Sequence, residues 1–112
     1  MELLDAIRET CKTLDEKFAR DIVVLDISEI SVIADYFIIL GGTNPTQIQT
    51  LAATAEEALT RRGIALRHNE GMREASWVLL DFGDIIVHIF DRESRAFYHL
   101  ERVWGDAKLV EL

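Results

Sequence analysis

Three groups of residues in this 112-residue chain have the types and spacing to do chemistry. Gly41-Gly42-Thr43, just ahead of a proline-led helix, would aim backbone amides at an anion; Asp81, Asp84 and His88 could converge as metal ligands or as an acid–base set; Cys11 is the one thiol. Each also has a plainer reading. A P-loop ends in Gly-Lys-Ser/Thr and a dinucleotide fingerprint carries three spaced glycines, so Gly41-Gly42 reads equally as a strand-to-helix turn. Paired aspartates at a hairpin tip are usually turn formers, and Cys11 falls on the apolar stripe of a helix with no base near it in sequence. His68 and His99 have no partner at ligand spacing, no G-x-S-x-G is present, and no cofactor or metal is expected.

The aromatic and charged residues of the last third offer a different chemistry, that of recognition. Trp77, Tyr98 and Trp104 with Arg95 are the types that dominate interface hot spots, and Arg95, Tyr98 and Arg102 fall at helical three- and four-residue steps. Both tryptophans could equally complete a core.

The elements that must position these residues follow from periodicity. Leu3, Leu4, Ile7, Cys11, Leu14 and Phe18 predict an amphipathic helix over 2–18. Asp21 to Ile27 and Asp35 to Leu40 are nearly continuous apolar runs, as strands buried on both faces require. Asn44, Pro45 and Gln47 mark a helix start, with Ile48, Leu51, Ala52, Ala55 and Leu59 on one face and Arg61-Arg62-Gly63 at its end. A short strand is expected over Ile64 to His68 and a polar loop over Asn69 to Ala75.

A hairpin follows. With Phe82-Gly83 as a two-residue turn, Trp77 would face His88 and Leu79 would face Ile86, leaving Val78, Leu80, Ile85 and Val87 for the core; with Gly83 as a bulge, the second strand shifts by one. The expected fold class is therefore α/β, a single domain over 1–112, with a mixed sheet of about five strands and helices packed on it.

Composition narrows function. The net charge is −8, and no lysine or arginine lies between Arg20 and Arg61 while Asp21, Asp26, Glu29, Asp35, Glu56 and Glu57 do. That stretch repels phosphate, so no direct nucleic-acid binding is expected, and a basic protein partner would be attracted. The apolar runs are far too short to cross a membrane, and the acidic N-terminus fits no signal or transit peptide, so a cytoplasmic location is expected.

These residues also resemble a known family. The segments Asp21-Ile22-Val23-Val24-Leu25-Asp26, Ala34-Asp35-Tyr36-Phe37-Ile38-Ile39, Gly42-Thr43, Glu70-Gly71, Trp77 to Asp84, Val87-His88 and Arg95-x-x-Tyr98-x-Leu100-Glu101-x-x-Trp104 are similar to the Iojap-like ribosomal silencing factors. The resemblance covers about Thr13 to Ala107; the family's Gly-Thr-Ser here reads Gly42-Thr43-Asn44, followed by Pro45.

It implies a domain similar to the nucleotidyltransferase fold without its catalytic carboxylates. It also implies binding to the large ribosomal subunit through its protein number fourteen, which would hinder joining of the small subunit when nutrients are scarce. Carried over by position, the candidate contacts are Asp35, Tyr36, Trp77, Asp81, His88, Arg95, Tyr98, Glu101 and Trp104. The competing expectations are a divergent metal-dependent nucleotidyltransferase using Asp81 and Asp84, a large-subunit assembly factor, and a homodimer paired through a sheet edge.

Overall fold

The computed structural model describes residues 2–99, 102 and 104–112. Its elements are α1 (Glu2–Glu16), β1 (Arg20–Asp26), β2 (Tyr36–Gly41), α2 (Pro45–Arg61), β3 (His68–Glu70), β4 (Trp77–Asp81), β5 (Ile85–Phe90), α3 (Arg92–Tyr98) and β6 (Lys108–Val110). They build one mixed sheet in the order β3-β4-β5-β2-β1-β6, antiparallel except for the parallel pair β2–β5.

The sheet buries both faces. On one, α1 and α2 lie over Val24, Ile38, Leu40, Val78, Leu80, Ile85, Val87 and Ile89. On the other, Leu25, Phe37, Ile39, Ile86 and Phe90 are covered by Trp77, Trp104 and Ala107. This double burial explains why β1 and β2 read as apolar runs rather than as alternating strands.

Local chemistry fixes the helix ends. The Asn44 side chain accepts the Gln47 N–H at 2.8 Å, and Gln47 Oε1 accepts from the Thr43 N–H and the Thr43 hydroxyl, one residue earlier than a standard capping box would reach. At the other end Gly63 is left-handed (φ 82°) and the Ile64 N–H returns to the Leu59 carbonyl. Helix α1 stops at Glu16, so Phe18 leaves the stripe it was expected to extend; its φ is 67° and it is 81% exposed.

Three further expectations change. The strand expected over Ile64 to His68 forms at His68–Glu70, with Ile64 and Leu66 packed on the core just before it. The hairpin turn is Gly83-Asp84: the Phe82 N–H bonds the Ile85 carbonyl at 2.9 Å, and Gly83 takes φ 89°, as a type II′ turn requires at its first central residue. Trp77 thus pairs with Phe90 and Leu79 with His88, two residues from the register that puts Phe82-Gly83 in the turn; a slip of two leaves every side chain on its expected face. Finally, the sheet has a sixth strand, β6, paired with β1 through the backbone, and Lys108 reaches Glu29, in the loop after β1, at 2.6 Å.

Candidate functional site

The face opposite α1 and α2 gathers most of the candidate residues. Trp77 begins β4 beside Phe90 of β5, and α3 folds back so that the Tyr98 ring packs at a tilt 4.5 Å from that of Trp77. Asp91 makes that return possible, since its carboxylate accepts the Ser94 N–H at 2.7 Å and caps α3. Trp104 packs edge-on against Phe37 at 5.2 Å, and Phe37 packs edge-on against His88 at 4.7 Å. The result is an aromatic sheet face whose outermost members are Tyr98, 44% exposed, and Phe97, 80% exposed.

His88 lies beneath this surface. It is 5% exposed, its Nδ1 accepts the Trp77 indole N–H at 3.1 Å, and its Nε2 is buried without a hydrogen-bond partner. Indole can only donate, so Nδ1 is the bare nitrogen and Nε2 holds the proton. Burial pushes the imidazole down to about 4. As a surface contact His88 is therefore corrected: it supports Trp77 from below.

The remaining candidates divide. Asp35 and Asp81 are half-buried at the opposite end of the same face, near Asp84, whose carbonyl accepts the Asp35 and Tyr36 N–H groups. Asp81 also accepts the Gly83 N–H at 2.8 Å, stabilising the turn. Tyr36 lies on the other side of the sheet from the aromatic face: half-buried, it packs on the α1–α2 cluster, one residue out of phase with Phe37. Burial, then Asp26 and Asp35, raise its phenol above the ordinary range.

Arg95 is half-buried and donates to the Arg20 carbonyl at 3.3 Å, at the aromatic end. Its helix ends at Tyr98 and His99 turns left-handed (φ 46°), so Arg102 does not continue that helical face. Glu101 lies outside the described residues.

The metal reading loses its geometry. His88 is sealed and Asp81 is engaged in the turn, and among the described residues no group of three or more His, Cys, Asp or Glu stands close enough to hold a metal ion. Nor does the Gly41-Gly42-Thr43 loop offer amides, because Gly42 N–H bonds Phe90 and Thr43 N–H bonds Gln47. Gly42 has a packing reason to be glycine: a Cβ there would stand 2.6 Å from Ile48 Cγ1.

Sequence comparison settles the kinship. The family model described as "Ribosomal silencing factor during starvation" matches residues 1–112. The chain belongs to this ribosomal silencing factor family. It is 44% identical over 98 residues to a ribosomal silencing factor of Bacillus subtilis, covering 88% of this chain and 83% of that one. It is 33% identical over 111 residues to the chloroplastic Iojap protein of Zea mays, spanning 99% of this chain and 48% of the plant protein.

Solved structures agree. A crystal structure from Chromobacterium violaceum superposes with a TM-score of 0.88 at 28% identity, covering 94% of this chain and 88% of that one. One from Bacillus halodurans gives 0.83 at 34%, covering 97% and 99%. The mixed sheet with helices packed on it is thus the architecture of this family's solved members. Among the described residues no helix is long and apolar enough to cross a membrane.

Proposed function

We propose that this protein represses translation by docking on the large ribosomal subunit, through its protein number fourteen, and obstructing the approach of the small subunit. The observation that carries the reading is the aromatic sheet face in a member of the silencing factor family: Tyr98 and Phe97 stand outward on a packed layer of Trp77, Phe90 and His88. Exposed aromatics on a fixed support are what an interface hot spot needs, because little side-chain entropy is lost on binding.

Asp35, Asp81 and Asp84 at the far end of the face, in a chain of net charge −8, suit a basic partner and would speed encounter at low salt. No chemical step is required. A body 32 by 31 by 24 Å obstructs a subunit interface by volume alone.

The test is sedimentation of the purified protein with isolated large subunits, with small subunits, and with both. The expected result is co-sedimentation with large subunits only and fewer joined particles. Tyr98→Ala and Phe97→Ala, at exposed positions that leave the core intact, should each weaken large-subunit binding by roughly tenfold or more. Folded variants that bind unchanged would remove this face from the interface. The same runs without ribosomes read self-association through the open edges at β3 and β6.

A further inference from the structure

A second feature lies around α3 from the aromatic face. Between the carboxyl ends of the parallel strands β2 and β5 and the start of α3, a cleft of about 610 Å³ opens, walled by backbone at Gly41 and Gly42 and lined by the side chains of Arg20, Arg92, Arg95 and His99. In open α/β sheets, ligands bind outside the carboxyl ends of parallel strands where neighbouring connections diverge; β2 and β5 are this sheet's one parallel pair among the described residues, and their connections leave toward α2 and α3.

The charge of the cleft runs against that of the protein. Three arginines line it, in a chain with 12 lysines and arginines against 20 acids. Two carboxylates, Asp21 and Asp91, also line it, and Asp91 already accepts the Ser94 N–H at 2.7 Å. Arg95 donates to the Arg20 carbonyl at 3.3 Å, a contact that links α3 to β1 across the cleft.

The backbone is strained on both sides. Asp21 (φ 49°) sits at the irregularity in β1 between Arg20 and Val23, and His99 (φ 46°) caps α3; these are two of the four non-glycine residues with positive φ in the described chain. Such conformations, and bulges, gather where a fold aims side chains at a ligand.

We propose that this cleft binds a small phosphorylated molecule carrying a pyrophosphate group, such as a nucleoside diphosphate, with Arg20, Arg92 and Arg95 as its anchors. The volume falls within the range of small-molecule and cofactor sites, and forked guanidiniums match phosphate oxygens two at a time. The loop amides are already bonded within the fold, so the attraction comes from the arginines, not from the α2 terminus. The proposal goes beyond ribosome docking and is tested without ribosomes.

The experiment is an amide NMR titration of the full chain with inorganic pyrophosphate and, separately, with ADP, supported by calorimetry. Expected is saturable binding with shifts centred on residues 41–43 and 91–96, and displacement of pyrophosphate by ADP. Arg20→Ala and Arg92→Ala should each weaken it by roughly tenfold or more, Arg92→Lys by less, and Arg61→Ala, at an exposed helix-end pair, not at all.

Circular dichroism and thermal melts identify variants that lose the fold, and the exposed position of Arg92 keeps at least that variant informative. Absence of saturable pyrophosphate binding overturns the proposal, as does binding that survives both alanine variants. A short single-stranded RNA that binds the cleft and is not displaced by pyrophosphate overturns it in favour of a nucleic-acid contact.

Discussion

The bond from the Trp77 indole to His88 Nδ1 has a consequence for acid stability. The imidazole is held neutral in the fold, its value falling from 6.5 to about 4 because burial penalises the cation. The folded state therefore binds fewer protons than the unfolded chain between those values. Stability from this group is complete above pH 6.5 and is lost progressively as pH falls toward 4, about 3 kcal/mol in all. Denaturant melts across that window should show the loss, and His88→Leu should flatten the profile; an unchanged profile in the variant would assign the acid sensitivity elsewhere.

Cys11 gives the opposite kind of residue. Burial pushes its thiol up to about 12, so a disulfide reagent at pH 8 should label it only as fast as the chain unfolds, whereas a burst of labelling in native buffer would contradict its burial.

Among the elements, those with local chemistry could be read from sequence and those made by neighbours could not. Helix α2 was legible end to end because Asn44, Pro45 and Gly63 act within a few residues of themselves. Strand β6 was not, because Lys108-Leu109-Val110 buries little and exists only where β1 offers an edge.

The hairpin lies between. Its two faces were legible from alternation, but its turn was placed one residue early, since choosing Gly83-Asp84 needs the positive φ at Gly83. For the candidate site, Trp77 and Tyr98 stood out by type. The burial of His88 and the placing of Tyr36 on the α1–α2 side of the sheet depend on how the layers pack, and the presence of Arg20 and Arg92 at one cleft depends on a parallel pairing that adjacent sequence does not encode.

Two glycines show how closely the elements fit. Gly71 has φ 81°, and a Cβ there would come 2.1 Å from the Trp77 carbonyl oxygen, so Gly71→Ala must displace the start of β4. It should cost about 2–4 kcal/mol and change the tryptophan fluorescence. Gly42→Ala pushes only on the Ile48 side chain and should cost about 1–3 kcal/mol without that spectral change.

For the molecule as a whole, charge is what a partner meets first. With 20 acids against 12 bases, association with a basic surface should slow steeply as salt rises, while dissociation, governed by the aromatic contacts, should change little. Stopped-flow or surface-binding kinetics at two ionic strengths would separate the two; a dissociation rate that rises with salt as steeply as association falls would give the charges a place inside the interface.

The parallel pairing of β2 with β5 also bears on how the chain is made. Each is hairpin-like with an antiparallel neighbour, but the two meet only across more than forty residues of intervening chain, from Gly41 to Ile85. During synthesis, β2 must therefore wait, with one edge unpaired, until the segment ending at Phe90 has left the ribosome. A nascent chain stalled before that point would offer that edge to chaperones, and the two halves of the sheet would join only when the β4–β5 hairpin docks on β2.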